Sequence, residues 1–176
     1  MSGHRSVVGN FNNEHSLFLR KMDIDIILDG LFAAVAAIGF GSISNVPIKA
    51  FVGCALLAAS GHATRFFLMH SMGWNIIPAD LIGAIIIGVC APLAGRFWNA
   101  PAESLAYPAL LPMIPGMYAY RAVEGLLMCL TSDTNEDVFD HALYLFTSNS
   151  MTCTVIVVLM VLGVTIPIQI ANRHVE

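Results

Sequence analysis

The chain has 176 residues, of which 57% are hydrophobic and only 11% charged. A soluble domain carries about 25% charged residues, so this composition indicates a polytopic membrane protein. The net charge of −4 comes mainly from acids in the termini and one loop, and without a basic patch it excludes a nucleic-acid binder.

Residues 1–21 are polar and irregular (Asn10, Asn12, Asn13, Glu14) and read as a tail preceding a transmembrane domain over residues 22–176. The first apolar run follows Asp23, Asp25 and Asp29 rather than a positive segment, which argues against a removable signal peptide. A stretch of about 20 apolar residues spans a bilayer, and the first such span runs from about Ile24 to Ile43. Ala33, Ala37 and Gly41 recur every fourth residue there, a small-residue face for close helix contact. Asp29, one to two turns inside, either snorkels to the interface or serves as a proton or ammonium site.

Ser44-Asn45-Val46-Pro47 breaks the chain; Asn suits a helix cap and Pro the first helical position. The second span, about Ile48 to Met69, offers Ala55, Ala59 and Ala63 as its small face and contains Gly61-His62-Ala63-Thr64-Arg65. His62 and Arg65, three apart, share one helix face. His62 either carries a coupled proton or bonds a neighbouring helix; Arg65 either binds an anion or reaches the headgroups. After an interfacial turn with Trp74, the third span runs from about Ile76 to Phe97. Asp80 lies near its start, where the helix dipole favours an acid, and that explanation outweighs a functional one.

The fourth span, about Leu105 to Leu130, contains Leu110-Leu111-Pro112-Met113-Ile114-Pro115-Gly116-Met117-Tyr118-Ala119-Tyr120-Arg121. Each proline removes a helical hydrogen bond, freeing the carbonyls of Pro108 and Leu111. Free carbonyls at membrane depth are tolerated where they are buried in protein or line a cavity, and discontinuous helices recur in transporter sites. A simple packing kink is the rival explanation. Arg121 follows two turns later, either as a functional intramembrane charge or as the partner of Glu124. Thr131 to His141 reads as an acidic loop. The fifth span occupies most of Leu143 to Ala171, its first half polar enough to suit a face toward protein, with Asn149 the most demanding group.

The expected architecture is therefore all-α, with five transmembrane helices and the fourth broken at Pro112 and Pro115-Gly116. An odd count puts the termini on opposite sides, although the positive charges leave the orientation open. Cys54, Cys90, Cys129 and Cys153 lack CxxC spacing and read as buried apolar residues, so neither metal nor cofactor is expected. Enzymatic chemistry is not expected either. Ser60 and His62, two apart, point to different helix faces, and no GxSxG elbow is present.

Gly39-Phe40, Asn45-Val46-Pro47-Ile48-Lys49-Ala50, Cys54-Ala55-Leu56-Leu57, Gly61-His62-Ala63-Thr64-Arg65 and Pro112-Met113-Ile114-Pro115-Gly116 with Tyr118 and Tyr120 follow one another in an order that resembles the threonine/serine exporter family. The likeness covers roughly Asp29 to Ala171 and is to the small five-helix subunit, whose relatives include the small subunit of a bacterial two-component succinate exporter. It implies an inner-membrane, multi-pass location. It also implies a separate larger partner subunit, because fused members place a larger half of about five spans before this one. Two such halves in tandem would have opposite orientation, as in inverted-repeat transporters.

Residue chemistry then suggests an exporter of threonine/serine or of a dicarboxylate such as succinate. Arg121 and Arg65 would pair with a substrate carboxylate, Tyr118 would hydrogen-bond it, and N–H groups after Pro115-Gly116 would act as a helix N-terminus. Asn149 would complete the cavity, and His62 with Asp29 would carry the proton. The competing expectation is a scaffold subunit whose partner holds the site. Self-association as a homo-oligomer is the expectation if the chain transports alone.

Overall fold

The computed structural model describes residues 24–131 and 136–173. The expected polar tail over residues 1–21 lies outside them. Among the described residues six α-helices follow one another: α1 (Ile24–Ile43), α2 (Phe51–Ser71), α3 (Ile76–Trp98), α4 (Ala102–Leu110), α5 (Gly116–Thr131) and α6 (Glu136–Arg173). Short 3₁₀ turns precede α2 (Ile48–Ala50) and follow α4 (Leu111–Met113). Among the described residues, four helical segments are long and apolar enough to cross a membrane: α1, Ile48–Ser71, α3 and α6. This is an all-α, polytopic membrane protein. The helices α4 and α5 are individually shorter than a bilayer requires.

The caps explain where helices begin and end. Asn75 accepts a hydrogen bond from the Ile77 amide and opens α3, while Asn99 closes it in a left-handed conformation at φ 51°. Asn45 does not cap the following helix as its sequence context suggests. It takes the left-handed conformation itself, at φ 54°, and turns the chain so that Pro47 leads into the 3₁₀ turn.

Small residues set the helix contacts, as expected where lipid removes the hydrophobic incentive and close packing must hold helices together. Ala33, Ala37 and Gly41 line the buried face of α1, and Gly41 meets Phe51 and Cys54. On α2 the buried face is Cys54, Leu57, Ala58, Gly61 and His62 rather than Ala55, Ala59 and Ala63, which are only half-buried. A Cβ on Gly83 of α3 would lie 3.0 Å from the Gly61 carbonyl oxygen, so α2 and α3 cross almost backbone to backbone. A Cβ on Gly88 would lie 2.7 Å from the carbonyl oxygen of Val164, which marks an equally close contact of α3 with α6.

At about 1.5 Å per residue, α6 is about 57 Å long, close to twice the hydrocarbon thickness of a bilayer. Its C-terminal half, through Ile156, Met160, Gly163, Val164 and Ile168, packs against the α2–α4 bundle. Its N-terminal half pairs with α5, where Gly125 sits against Ala142, Leu145 and Phe146. Two sequence expectations change here. The acidic segment from Glu136 to His141 is the first turns of α6, not loop. The hydroxyls of Thr147, Thr152 and Thr154 bond the carbonyl four residues back, so these polar residues are satisfied by their own helix and need no buried face.

Candidate functional site

Two antiparallel helix pairs bring four ionisable side chains to one level of the bundle. Asp29 stands as far before the end of α1 as His62 stands after Ile48, so folding the pair at residues 44–47 sets them side by side. The Asp29 carboxylate Oδ2 lies 3.0 Å from Nδ1 of His62. An ionised carboxylate only accepts, so in this bond the imidazole donates from Nδ1. Similarly, Arg65 and Asp80 flank the turn between α2 and α3 at nearly equal distances, and Nη1 of Arg65 donates to Oδ1 of Asp80 at 3.2 Å. The Gly61–Gly83 crossing holds α2 and α3 close enough for the second bond, and Gly30, whose Cβ would lie 3.6 Å from the Ala59 carbonyl oxygen, marks the approach of α1 to α2 beside the first.

The third contributor is the interruption between α4 and α5. The Leu111 carbonyl is not left free: the amide of Ile114 donates to it at 3.2 Å, closing the 3₁₀ turn. Ile114 then turns to an extended conformation at ψ 130°, and the helical ladder stops. The Met113 carbonyl, past the last turn, receives Nη1 of Arg65 at 3.3 Å. The Met113 side chain fills the notch beside the two glycines: its sulfur and terminal methyl occupy the positions where Cβ atoms on Gly61 and Gly83 would lie within 3.3 and 2.7 Å. One guanidinium thus ties α2 to α3 and to the interruption.

Burial makes this cluster chemically unusual. Asp80 is fully buried and His62 is 6% exposed. Oδ2 of Asp80 and Nε2 of His62 are buried without a hydrogen-bond partner. Buried polar atoms are nearly always satisfied, so two orphans in one cluster mark a place built for a further polar group. By contrast the Asp29 side chain is 33% exposed, which gives the cluster an edge open to its surroundings.

The remaining residues singled out by sequence are placed elsewhere. Arg121 is exposed on α5, with no ion pair to Glu124 among the described residues. Tyr118 is half-buried, Pro115 buried and Gly116 exposed. The amide of Gly116 already donates to Ile114, and those of Tyr118 and Ala119 to Pro115, so few N–H groups at the start of α5 remain for an anion. Asn149 donates to the Leu145 carbonyl of its own helix at 2.7 Å. Two surface hollows are bordered by none of the four ionisable residues. One, about 660 Å³, is bordered by Arg96, Asn99, Glu103 and Asn172; the other, about 170 Å³ and apolar, is bordered by Tyr107, Leu111, Ile114 and Met160.

Met113 is the member that sequence reasoning passed over, and Asp80 the one it set behind a helix-dipole explanation. Asp80 has a perfectly ordinary explanation as an acid near a helix start, and Met113 contributes a backbone atom. The available signal was the matched depth of Arg65 and Asp80 on either side of a short turn. Among the described residues no group of three or more His, Cys, Asp and Glu side chains is arranged to hold a metal ion.

Comparison with known proteins adds the lineage. The family model described as "Threonine/Serine exporter, ThrE" matches residues 29–170. A Haemophilus influenzae relative, described only as an uncharacterized protein, is 32% identical over 134 residues, which span 76% of this chain and 45% of that relative. The chain therefore spans about half the length of the curated relative it matches. No solved structure matches. The family match begins at Asp29 itself, so all four ionisable residues of the cluster fall within it.

Proposed function

The chain belongs to the threonine/serine exporter family, and from that premise we propose that it is one subunit of a secondary active exporter of small carboxylate solutes. The reading is of a transporter and not an enzyme. Its substrate is threonine/serine or a dicarboxylate such as succinate, and it works with a separate larger subunit in a bacterial inner membrane. In this reading α4, the 3₁₀ turn and α5 together make a fifth, interrupted crossing beside the four continuous ones.

The observation that carries the proposal is the ionisable cluster at the interruption: Arg65 between Asp80 and the Met113 carbonyl, with His62 and Asp29 one turn away. Charges inside a membrane bundle are expensive and mark transport pathways, and interrupted helices supply backbone groups to such sites. Arg65 has five N–H donors, of which Nη1 makes both bonds described above, leaving donors for a substrate carboxylate. His62 and the more exposed Asp29 form the proton route. Pro115 and Gly116 hold the interruption open, and Tyr118 borders it on the α5 side. Arg121 and Asn149, on other faces, take no part in this step.

A scaffold role, with the transport site in the partner, has one observation in its favour: the chain covers 45% of its relative. Efflux from proteoliposomes loaded with labelled threonine, serine or succinate separates the readings. The subunit is compared alone and with the larger subunit, with and without a pH gradient, as wild type and as Arg65→Ala. Gradient-driven efflux that needs both chains and is lost in Arg65→Ala is the expected result. Undiminished efflux in that variant would shift the site to the partner. Thiol labelling of single cysteines placed from Pro112 to Arg121 gives an independent check, because a site here is protected by substrate.

A further inference from the structure

Resting on the exporter reading, we propose that Asp80 is the exchange point of the transport cycle: its unpartnered oxygen holds a proton in one state and the ammonium group of an α-amino acid in the other, never both. The cluster contains two carboxylates, Asp29 and Asp80, one guanidinium and one imidazole. Asp29 is engaged by His62, and Oδ1 of Asp80 by Arg65; Oδ2 of Asp80 is left buried and unbonded. An unbonded carboxylate oxygen with no exposure calls for a donor. The titratable groups of the cluster around it are Arg65, which bonds its other oxygen, His62 three residues before Arg65 on α2, and Asp29 behind His62 on α1. The break before α5 adds only the neutral Met113 carbonyl. From α6, packed on α3, no Asp, Glu, Lys, Arg or His contributes between Leu143 and Ala171.

A zwitterion matches this arrangement at both ends, its carboxylate on the open donors of Arg65 and its ammonium on Asp80. A dicarboxylate would bring two negative charges to a site with two of its own and a single guanidinium. The proton balance closes within the cluster. As the ammonium arrives, the O–H bond on Asp80 breaks and its proton passes, by way of one bridging water that takes up and gives on a proton, to Nε2 of the neutral His62 imidazole. The imidazole gives up its Nδ1 proton to Asp29, and the partly exposed Asp29 releases it to water. One ammonium replaces one proton, so outward substrate and inward proton movements alternate on the same oxygen.

The test uses proteoliposomes containing whichever chain combination transports, with labelled L-threonine, L-serine and succinate as probes. Proton and ammonium compete for one oxygen, so the wild-type KM for the amino acid falls as pH rises, by up to about tenfold per unit where the proton dominates. Succinate neither moves nor competes. Asp80→Asn loses stimulation by a pH gradient and the pH dependence of KM, leaving weakened exchange; Asp80→Glu, which keeps the carboxylate, retains both. A wild-type KM independent of pH, succinate transport in preference to threonine, or gradient stimulation surviving in Asp80→Asn overturns the inference. If Asp80→Asn fails to assemble, the wild-type KM profile and Asp80→Glu still decide. Wild type that moves none of the three probes sinks the exporter reading itself, a result distinct from these.

Discussion

Replacing Arg65 by methionine removes the guanidinium but keeps a long flexible apolar side chain in its place. Asp80 then stays fully buried with neither oxygen bonded. Breaking a buried ion pair from one side costs about 3–5 kcal/mol, because the surviving charge has no compensation. For a chain of this size about 1 kcal/mol corresponds to 2–4 °C in melting temperature, so Arg65→Met should lower the apparent Tm by on the order of 10 °C. Loss of the bond to the Met113 carbonyl adds to the effect. Adding Asp80→Leu, whose branched side chain resembles aspartate in shape, removes the stranded charge and should restore most of the loss, since apolar replacements of whole buried pairs are often neutral. The double variant should nevertheless remain inactive. Fluorescence-detected size exclusion after heating reads stability in detergent, and proteoliposome efflux reads function. A fall of less than about 2 °C in Arg65→Met, or transport by the double variant, would refute the reasoning.

Gly88→Ala should separate α3 from α6, because its Cβ would lie 2.7 Å from the Val164 carbonyl oxygen. Overpacking of this kind costs about 1–3 kcal/mol, read as a lower melting temperature, whereas Gly39→Ala, with nothing within 4 Å, should leave melting unchanged. His62→Gln retains an amide to bond Asp29 but cannot relay a proton, so efflux should lose its acceleration by a pH gradient; retention of that acceleration would remove His62 from the route. Arg121→Ala, on an exposed face, should reduce transport far less than Arg65→Ala, and an equal loss would place the anion site on α5.

How much of this was legible in the sequence depends on which physical signal each residue carries. Span positions follow from hydropathy alone, and the small-residue face of α1 follows from a repeat of four. The pairing of Asp29 with His62 could be found by counting outward from one turn. Rotation of a helix about its own axis cannot be counted in the same way. That is why Ala55, Ala59 and Ala63 looked like the contact face of α2, while the observed face is turned toward Cys54, Ala58 and His62. The same ambiguity made both Arg121 and Arg65 candidates, and of the two only Arg65 pairs with an acid among the described residues. Asn149 suggests a distant partner from sequence, since it is a polar amide in an apolar helix, and its amide donates to Leu145 of the same helix. The prolines announced an interruption, but which carbonyl it would leave open was decided by a 3₁₀ turn that no proline rule specifies.

The length of α6 has a mechanical consequence. One continuous rod touches α3 at Gly163 and Val164 and touches α5 around Ala142 and Phe146, contacts separated by about 29 Å along its axis. Backbone-to-backbone contact at the first point leaves little room for sliding, so that point acts as a fulcrum. A tilt of about 5° there would sweep the α5 contact through about 2.5 Å, carrying α5 with it. Because α5 begins directly after the interruption that Arg65 holds, such a lever would convert a small rocking of the outer hairpin into a pull on the backbone beside the buried charges.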